Sequence, residues 1–354
     1  MKINFQKIPM IKVHILVLLI FISTCRADSP VKSDTIFVAF WNLENLFDII
    51  DDPKKDDQEF LPNSAKEWTQ ERLDKKMYDL SRVFASMNDG KSPDVIGVVE
   101  CENEAVLQKM LSKHFSIRNY RIAYAESPDT RGIDNGFIYD ADKFKFISSK
   151  AYEIKKLSSE PTRLILHVVL KIANGEEVNF IVNHWPSRRD GATESEYKRI
   201  ETAQVLRREV DRIFDKNRNA KIIIMGDFND EPVDESILKV LGADPFKCDP
   251  LNNENVEIPE KELYNLSYNL FEKGLGTLSF RSDWNLFDQI IVSSNLVTQK
   301  GLSYLCDSFS IFDNELVVTR SGKYKGTPFP TYGGNRYLGG YSDHFAVTAK
   351  FIIR

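Results

Sequence analysis

Six apolar runs in this chain end in, or begin with, residues able to bind a cation or move a proton. "TIFVAFWNLEN" ends in Asn42, Leu43, Glu44 and Asn45, and "DVIGVVE" ends in Glu100. "VNFIVNHW" carries Asn183 and His184, and "IIIMGDFND" carries Asp227 and Asn229. Asp288 opens "DQIIVS", and Ser342, Asp343 and His344 precede "FAVTAKFII". Taken alone, "GDFN" reads as a turn closed by a side-chain hydrogen bond. Six polar tips in one chain instead point to one site at a shared edge of packed strands.

These residue types suit metal-assisted hydrolysis of a phosphate ester. Carboxylates and carboxamides are hard ligands for Mg²⁺, with Mn²⁺ or Ca²⁺ as alternatives. The candidate ligands are Asn42, Glu44, Glu100 and Asp343. Asp227 with Asn229 can align and deprotonate a water. An imidazole donates to phosphate oxygens when a carboxylate orients it. The chain has five His. His14 lies near the start, His114 in a helical stretch and His167 inside an apolar run, which leaves His184 and His344 at strand tips. Asp288 is available to orient His344. Arg131, Asn183, Arg188 and Arg189 are the candidate substrate contacts, since a guanidinium presents a fork of donors to phosphate. A solvated loop is an equally ordinary reading of Arg188 and Arg189. Trp185, Trp284, Tyr332 and Tyr341 have faces that stack on a base or sugar, although such rings more often fill cores.

The elements that must position these groups are mostly strands. "YRIAYAE", "NGFIYD", "FKFIS", "RLILHVVLKI" and "EVNFIVNHW" read as a run of β segments. Helices interrupt them. "TQERLDKKMYDLSRVFASMN" places Leu73, Met77, Leu80, Val83 and Phe84 on one face, with Thr69 as N-cap. "NEAVLQKMLSKHF", the long "TESEYKRIETAQVLRREVDRIFD" and the short "DESILKVLG" are further helices. Residues 249–283 read as a long irregular stretch. "TRSGKYKGTPFPTYGGNRYLGGYSDH" reads as a loop able to deliver donors to a ligand. Two sheets packed face to face with helices outside each would satisfy every apolar face, giving an α/β fold of four layers, α/β/β/α, with mostly antiparallel or mixed sheets.

The first 27 residues stand apart. Lys2, Lys7 and Lys12 precede the apolar run Val13 to Ile22, and Cys25-Arg26-Ala27 follows. That order is the pattern of a secretory signal, and the run is short for a membrane span. Residues 1–27 are therefore expected to be removed, leaving 28–354 as one domain in a secreted or periplasmic protein. A lipid anchor on Cys25 is the weaker alternative, because Thr24 fits a lipoprotein signal poorly. The chain carries 47 Lys and Arg against 52 Asp and Glu. Without its first 27 residues, which hold four bases and no acid, the balance is 43 against 52, a net charge of −9. So acidic a protein is not a general polyanion binder, and a phosphate site must be a local basic patch or owe its charge to a metal. Cys248 and Cys306 could pair in an oxidising compartment, and Cys101 reads as a small core residue. No protein partner is evident, and a monomer is expected.

In their order along the chain, "WNLEN", "VVE", "NHWPSR", "GDFND", "FDQIIVS" and "YSDHFAV" resemble the endonuclease/exonuclease/phosphatase superfamily, over roughly residues 36–353. That superfamily includes DNase I-like nucleases, abasic-site endonucleases, sphingomyelinases and inositol polyphosphate 5-phosphatases. "NHWPSRR" is similar to a bacterial secreted subgroup. The resemblance implies that Glu100 is the principal metal ligand, with Asn42 and Asp343 close to it. Glu44 falls where some members carry an Asp near the metal. Asp227 and Asn229 would position the attacking water, and His344, paired with Asp288, would contact the scissile phosphate. His184 falls at the position on the leaving side. Helical insertions that grip a DNA groove and phosphoinositide-recognition motifs are not visible, so the substrate stays open. The expectation is a secreted nuclease acting on nucleic-acid phosphodiesters. The alternative is an enzyme for lipid or small-molecule phosphate esters, and a non-catalytic binding module is a more distant one. A glycosidase would need two acids facing a sugar, which leaves two His beside acid or amide groups unexplained.

Overall fold

Runs such as "IIIM" and "FVAFW" are apolar on both faces, so each must be covered on two sides. The computed structural model describes residues 35–115, 118–157, 159–248, 259–298 and 300–354. The signal-like segment and its apolar run lie outside the described residues. Ten strands carry the architecture: β1 (Thr35–Leu46), β2 (Val95–Cys101), β3 (Tyr120–Ala125), β4 (Asp134–Asp140), β5 (Lys145–Tyr152), β6 (Ile165–Lys171), β7 (Glu177–His184), β8 (Lys221–Asp227), β9 (Asp288–Ser293) and β10 (Ala346–Ile353).

Two sheets form. The first runs β10-β1-β2-β4-β3, and the short strands Leu302–Tyr304 and Ser310–Phe312 pair with β10. The second runs β5-β6-β7-β8-β9 and continues through Leu263–Asn265 and Ala243–Pro245. Among the ten strands, β1–β2 and β7–β8 are parallel and the other neighbours antiparallel. The mixed sheets of the sequence reading are therefore present. Val38, Phe40, Val168, Phe180, Ile223 and Val347 belong to the core between the sheets. The helices α1 (Gln70–Gly90) and α2 (Glu104–His114) cover the outer face of the first sheet, and α3 (Glu196–Lys216) covers the second. The fold is thus the four-layer α/β/β/α sandwich.

Local chemistry agrees with the periodicity. Leu73, Met77, Leu80, Val83 and Phe84 are buried, and Thr69 Oγ1 accepts the Arg72 N–H at the start of α1. Helical geometry in α1 ends before Met87, because Asn88 and Asp89 turn to positive φ. The segment read as irregular holds short elements: Leu263–Asn265, the turn of helix Tyr268–Glu272, and a hairpin of Leu278–Phe280 with Asp283–Asn285. Residues 249–258 lie outside the described residues. Cys248 and Cys306 form a disulfide, with Cα atoms 5.7 Å apart. Among the described residues no helix is long and apolar enough to cross a membrane.

Candidate active site

Register alone assembles half of the site. On the second sheet His184 lies opposite Asp227, and Asp227 lies opposite Asp288, so three strands present one row of polar side chains. Side chains alternate across a strand. Val182, Met225 and Ile290, two residues from each, point into the core between the sheets, so the row also faces the first sheet. Gly226 answers to close packing. A Cβ there would come within 2.5 Å of the Asn183 carbonyl oxygen, so only glycine lets β7 and β8 approach this closely.

The first sheet supplies its groups through irregular backbone. Asn42 follows Phe40 in the inward alternation of β1. In β2 the inward residues Val95 and Val99 would leave Glu100 on the helix side, yet the register shifts between Val99 and Cys101 and Glu100 takes φ +59°. That bulge sends Cys101 into the core under α1 and α2 and leaves Glu100 for the site. Glu44, Asn45 and Asn229 also hold positive φ, at 51°, 59° and 51°. Each such residue costs roughly 1–3 kcal/mol, and four of the twelve non-glycine residues at positive φ among the described residues fall here.

The side chains then meet. His344 Nδ1 lies 2.7 Å from Asp288 Oδ2, which also accepts the Thr277 hydroxyl. His344 Nε2 stands 3.9 Å from Asp227 Oδ2. From the other side His184 Nε2 is 3.7 Å from the same oxygen and 3.8 Å from Glu100 Oε1. Asn42 Nδ2 donates to Asp227 Oδ2 at 3.1 Å, and the Asn229 N–H donates to Oδ1 at 3.0 Å. Ser342 Oγ donates to the Asn42 carbonyl and accepts the His344 N–H, tying the last loop to β1.

Burial and charge set the protonation states. Burial raises the Asp227 carboxyl to about 7; His344 opposes this and Asp288 adds to it. For His344 burial works against the charge, but Asp288 and Asp227 hold its pKa well above the ordinary imidazole range. His184 is driven well below that range by burial first, then by the charges of Arg163, Arg131 and His344. One ring is therefore a cation and the other neutral. Because His184 Nε2 faces two acids and Nδ1 has no partner, the proton belongs on Nε2.

The cation site is defined by unmatched acids. Glu100 accepts only the Asn45 N–H, at 3.1 Å, and no Lys or Arg pairs with it or with Asp343 among the described residues. Burial raises the Asp343 carboxyl; His344 opposes this, and the charge of Glu100 adds to the rise. With the Asn42 carboxamide, whose Oδ1 accepts the Glu44 N–H at 2.9 Å and keeps a second lone pair, these hard oxygens fit Mg²⁺ or a similar ion. A second group, Asp227, Asp288 and His344, places one ligand atom each within 4.8 Å of the others and could also hold a metal.

Three expected residues sit elsewhere. Asn183 points to the opposite face from His184. Its Oδ1 accepts the Trp185 indole N–H and its Nδ2 lies near backbone carbonyls, so substrate contact is replaced by a buried structural role. Arg188 is locked beneath the site, donating to the Asn229 carbonyl at 2.6 Å and to Asp230 and Asp234. Glu44 spends both oxygens on the backbone N–H groups of Thr331 and Tyr332, at 2.6 and 3.0 Å. Burial raises it to about 7, with Asp343 adding and Lys76 opposing. Glu44 thus braces the last loop. Arg131 and Arg189 do line the site, in a polar pocket of about 260 Å³ with Lys66, Glu100 and Asp343. Trp185 is buried against Phe228, while Trp284 stacks on Phe345.

Two residues were missed by the sequence reading. Lys76 is buried, and its Nζ donates to Thr331 Oγ1 and the Tyr341 carbonyl, both at 2.5 Å. Burial lowers its pKa, against the pull of Glu44, Asp343 and Glu100. Arg163 is likewise buried, on Asp129 and the Trp185 carbonyl. Lys76 sits among the apolar positions of α1, and a lysine among apolar neighbours was the one available signal.

The chain belongs to the endonuclease/exonuclease/phosphatase family, whose profile matches residues 37–352. Enzymes of this family hydrolyse phosphate esters and are typically dependent on a divalent metal, and this chain is a phosphoesterase of that kind. Similar solved structures include a family protein from Bacteroides thetaiotaomicron at 15% identity and TM-score 0.56, covering 91% of this chain and 99% of that one. The mannosyl-6-phosphatase of Bacteroides thetaiotaomicron is similar at 16% identity and TM-score 0.54, covering 90% and 100%. Truncated Caenorhabditis elegans TDP2 is similar at 15% identity and TM-score 0.55, covering 90% and 97%. At such identities the likeness is one of fold. No curated protein matches the sequence.

Proposed function

We propose that this protein is a secreted or periplasmic phosphodiesterase that cleaves nucleic-acid phosphodiesters by direct attack of water. The observation that carries the hydrolytic reading is the meeting of Asp227 with His184 and His344, each within 4 Å, beside Glu100. Glu100 and Asp343, with Asn42, would hold the divalent ion, here taken as Mg²⁺. Bound there, the ion supplies positive charge to the phosphoryl oxygens. Asp227 takes a proton from the water as the water oxygen bonds to phosphorus. Asn42 and Asn229 act through Asp227, fixing the plane of its carboxylate. His344 donates its Nε2–H to a phosphoryl oxygen, and neutral His184 offers a second donor. The ester oxygen opposite the water departs and takes a proton from solvent at the open rim. Arg189 is placed to meet further phosphate, and Arg131, paired with Asp129 at 3.3 Å, lines the same pocket.

The nucleic-acid reading draws on the solved relatives, one of which is described in complex with a single-stranded DNA product. The sugar-phosphatase named among them favours a small phosphate ester as the second reading. Export is supported by the order of charged, apolar and small residues in 1–27. The test is a panel of single-stranded DNA, duplex DNA, RNA, sphingomyelin, inositol phosphates and mannose 6-phosphate, with Mg²⁺, Mn²⁺ or Ca²⁺ and after EDTA. Metal-dependent cleavage of polynucleotide above all others is expected. Preference for a monoester would replace the diester reading, and full activity in EDTA would remove the metal.

A further inference from the structure

A cleft of about 1100 Å³ opens beside the site, and Asp343 lines both it and the smaller polar pocket. One wall is the segment Thr319–Ser342. The other includes Ser279 of the hairpin, which is anchored beside the catalytic loop by the bridge from Leu278 to His344. The composition of the first wall is unlike the rest of the chain. Between Thr319 and Ser342 stand Arg320, Lys323, Lys325 and Arg336 with no Asp or Glu, in a protein whose acids outnumber its bases. Among the described residues none of these four cations is paired with an acid. Arg320 reaches only the Glu315 carbonyl, at 3.5 Å, and Lys323 lies over the Tyr324 ring. The acid lining the cleft is Asp343, a residue of the cation site. Aromatic faces interleave with the charges. Tyr324 and, on the hairpin, Phe280 are 60% and 62% exposed, and Phe329 and Tyr341 line the interior.

We infer that this cleft holds the single-stranded part of a polynucleotide next to the scissile phosphate, an inference that rests on the phosphodiesterase reading and narrows it. Unpaired bases stack on aromatic faces, and each added nucleotide brings one more phosphate for a waiting cation. A phospholipid would carry its single ester phosphate into the catalytic site and leave Arg320 and Arg336, the two of these cations that line the cleft, without partners. A duplex hides the base faces that Tyr324, which lines the cleft, would receive. The local positive wall also resolves how an acidic protein can take a polyanion, since only its field within about 10 Å acts at ordinary salt.

The experiment compares kcat/KM of the full chain with Mg²⁺ on a labelled single-stranded oligonucleotide, the same sequence as duplex, phosphatidylcholine vesicles and the small diester bis(p-nitrophenyl) phosphate. Variants R320A/R336A and Y324A alter exposed or rim positions. The ratio of oligonucleotide to small-diester kcat/KM is expected to fall roughly 5- to 100-fold in each. The slope of log affinity against log salt, read by fluorescence anisotropy in EDTA, should shrink by about 1.4 in the double variant, at about 0.7 per phosphate lost. An unchanged ratio with an unchanged slope overturns the inference, as does wild-type preference for duplex or vesicles. Anisotropy in EDTA needs no chemistry, so it tests the cleft even where no cleavage is seen. Failure to hydrolyse bis(p-nitrophenyl) phosphate with any metal would instead sink the catalytic reading.

Discussion

Two histidines approach one carboxylate from opposite sides, and their surroundings leave them in opposite charge states. His344 has Asp288 at 2.7 Å on its Nδ1, in a row of acids that also includes Asp227. His184 has nothing on Nδ1 and lies under the fields of Arg163, Arg131 and His344. Both are nearly fully buried. The difference teaches that burial alone does not decide the charge of an imidazole; the partner of the second nitrogen does. It also divides the labour. A cationic His344 offers a charged donor to the phosphate, and a neutral His184 offers an uncharged one beside Glu100.

Asp227 is common to both regions, so its loss should be the largest. Asp227→Asn is expected to lower kcat about 10³-fold with the fold intact by circular dichroism. A loss no greater than that of either histidine variant would mean that the two rings work without a shared base. Next, His344→Gln should cost about 10²-fold and His184→Gln about 10-fold, because a charged donor is worth more than a neutral one. The reverse order would break the comparison. Asp288→Asn acts chiefly through His344 and should cost roughly 10-fold in kcat with little change in KM. A KM effect of the same size would make Asp288 a substrate contact.

The smallest effect is a matter of protonation in the metal-free protein. Nitrogen-15 spectra at neutral pH should find two ring protons on His344 and one on His184. Folding raises the His344 pKa, so the pair with Asp288 contributes stability that is fully present below the unfolded value, about 6.5, and is lost as pH rises through the folded value. The Tm of metal-free wild type should therefore fall more steeply above neutrality than that of Asp288→Asn. Parallel curves would place the stabilisation elsewhere.

Much of this was legible in the chain. The strand tips could be read because a buried run of "IIIM" or "FVAFW" has no local use for an acid at its end. That Asp227, Asp288 and His344 belong together followed from residue type. What could not be read was direction. Asn183 and His184 are neighbours in sequence, yet period-2 alternation sends one into a packed interior and the other into the site. Arg188 and Arg189 look alike, but Asp230 and Asp234 capture the first and leave the second at the pocket. Glu44 has the composition of a ligand, and only the return of Thr331 and Tyr332 to its oxygens shows it to be a brace.

By itself the amino-acid order determined the layered fold, the family and the set of reactive groups, because apolar periodicity and residue chemistry are local properties that any segment carries with it. Tertiary structure alone decided which of those groups meet, which ring is charged and which cations stay free for a ligand. Those outcomes depend on distances between residues up to some 300 positions apart, such as Ser342 and Asn42. They also depend on a bulge at Glu100 whose positive φ only the finished packing can hold.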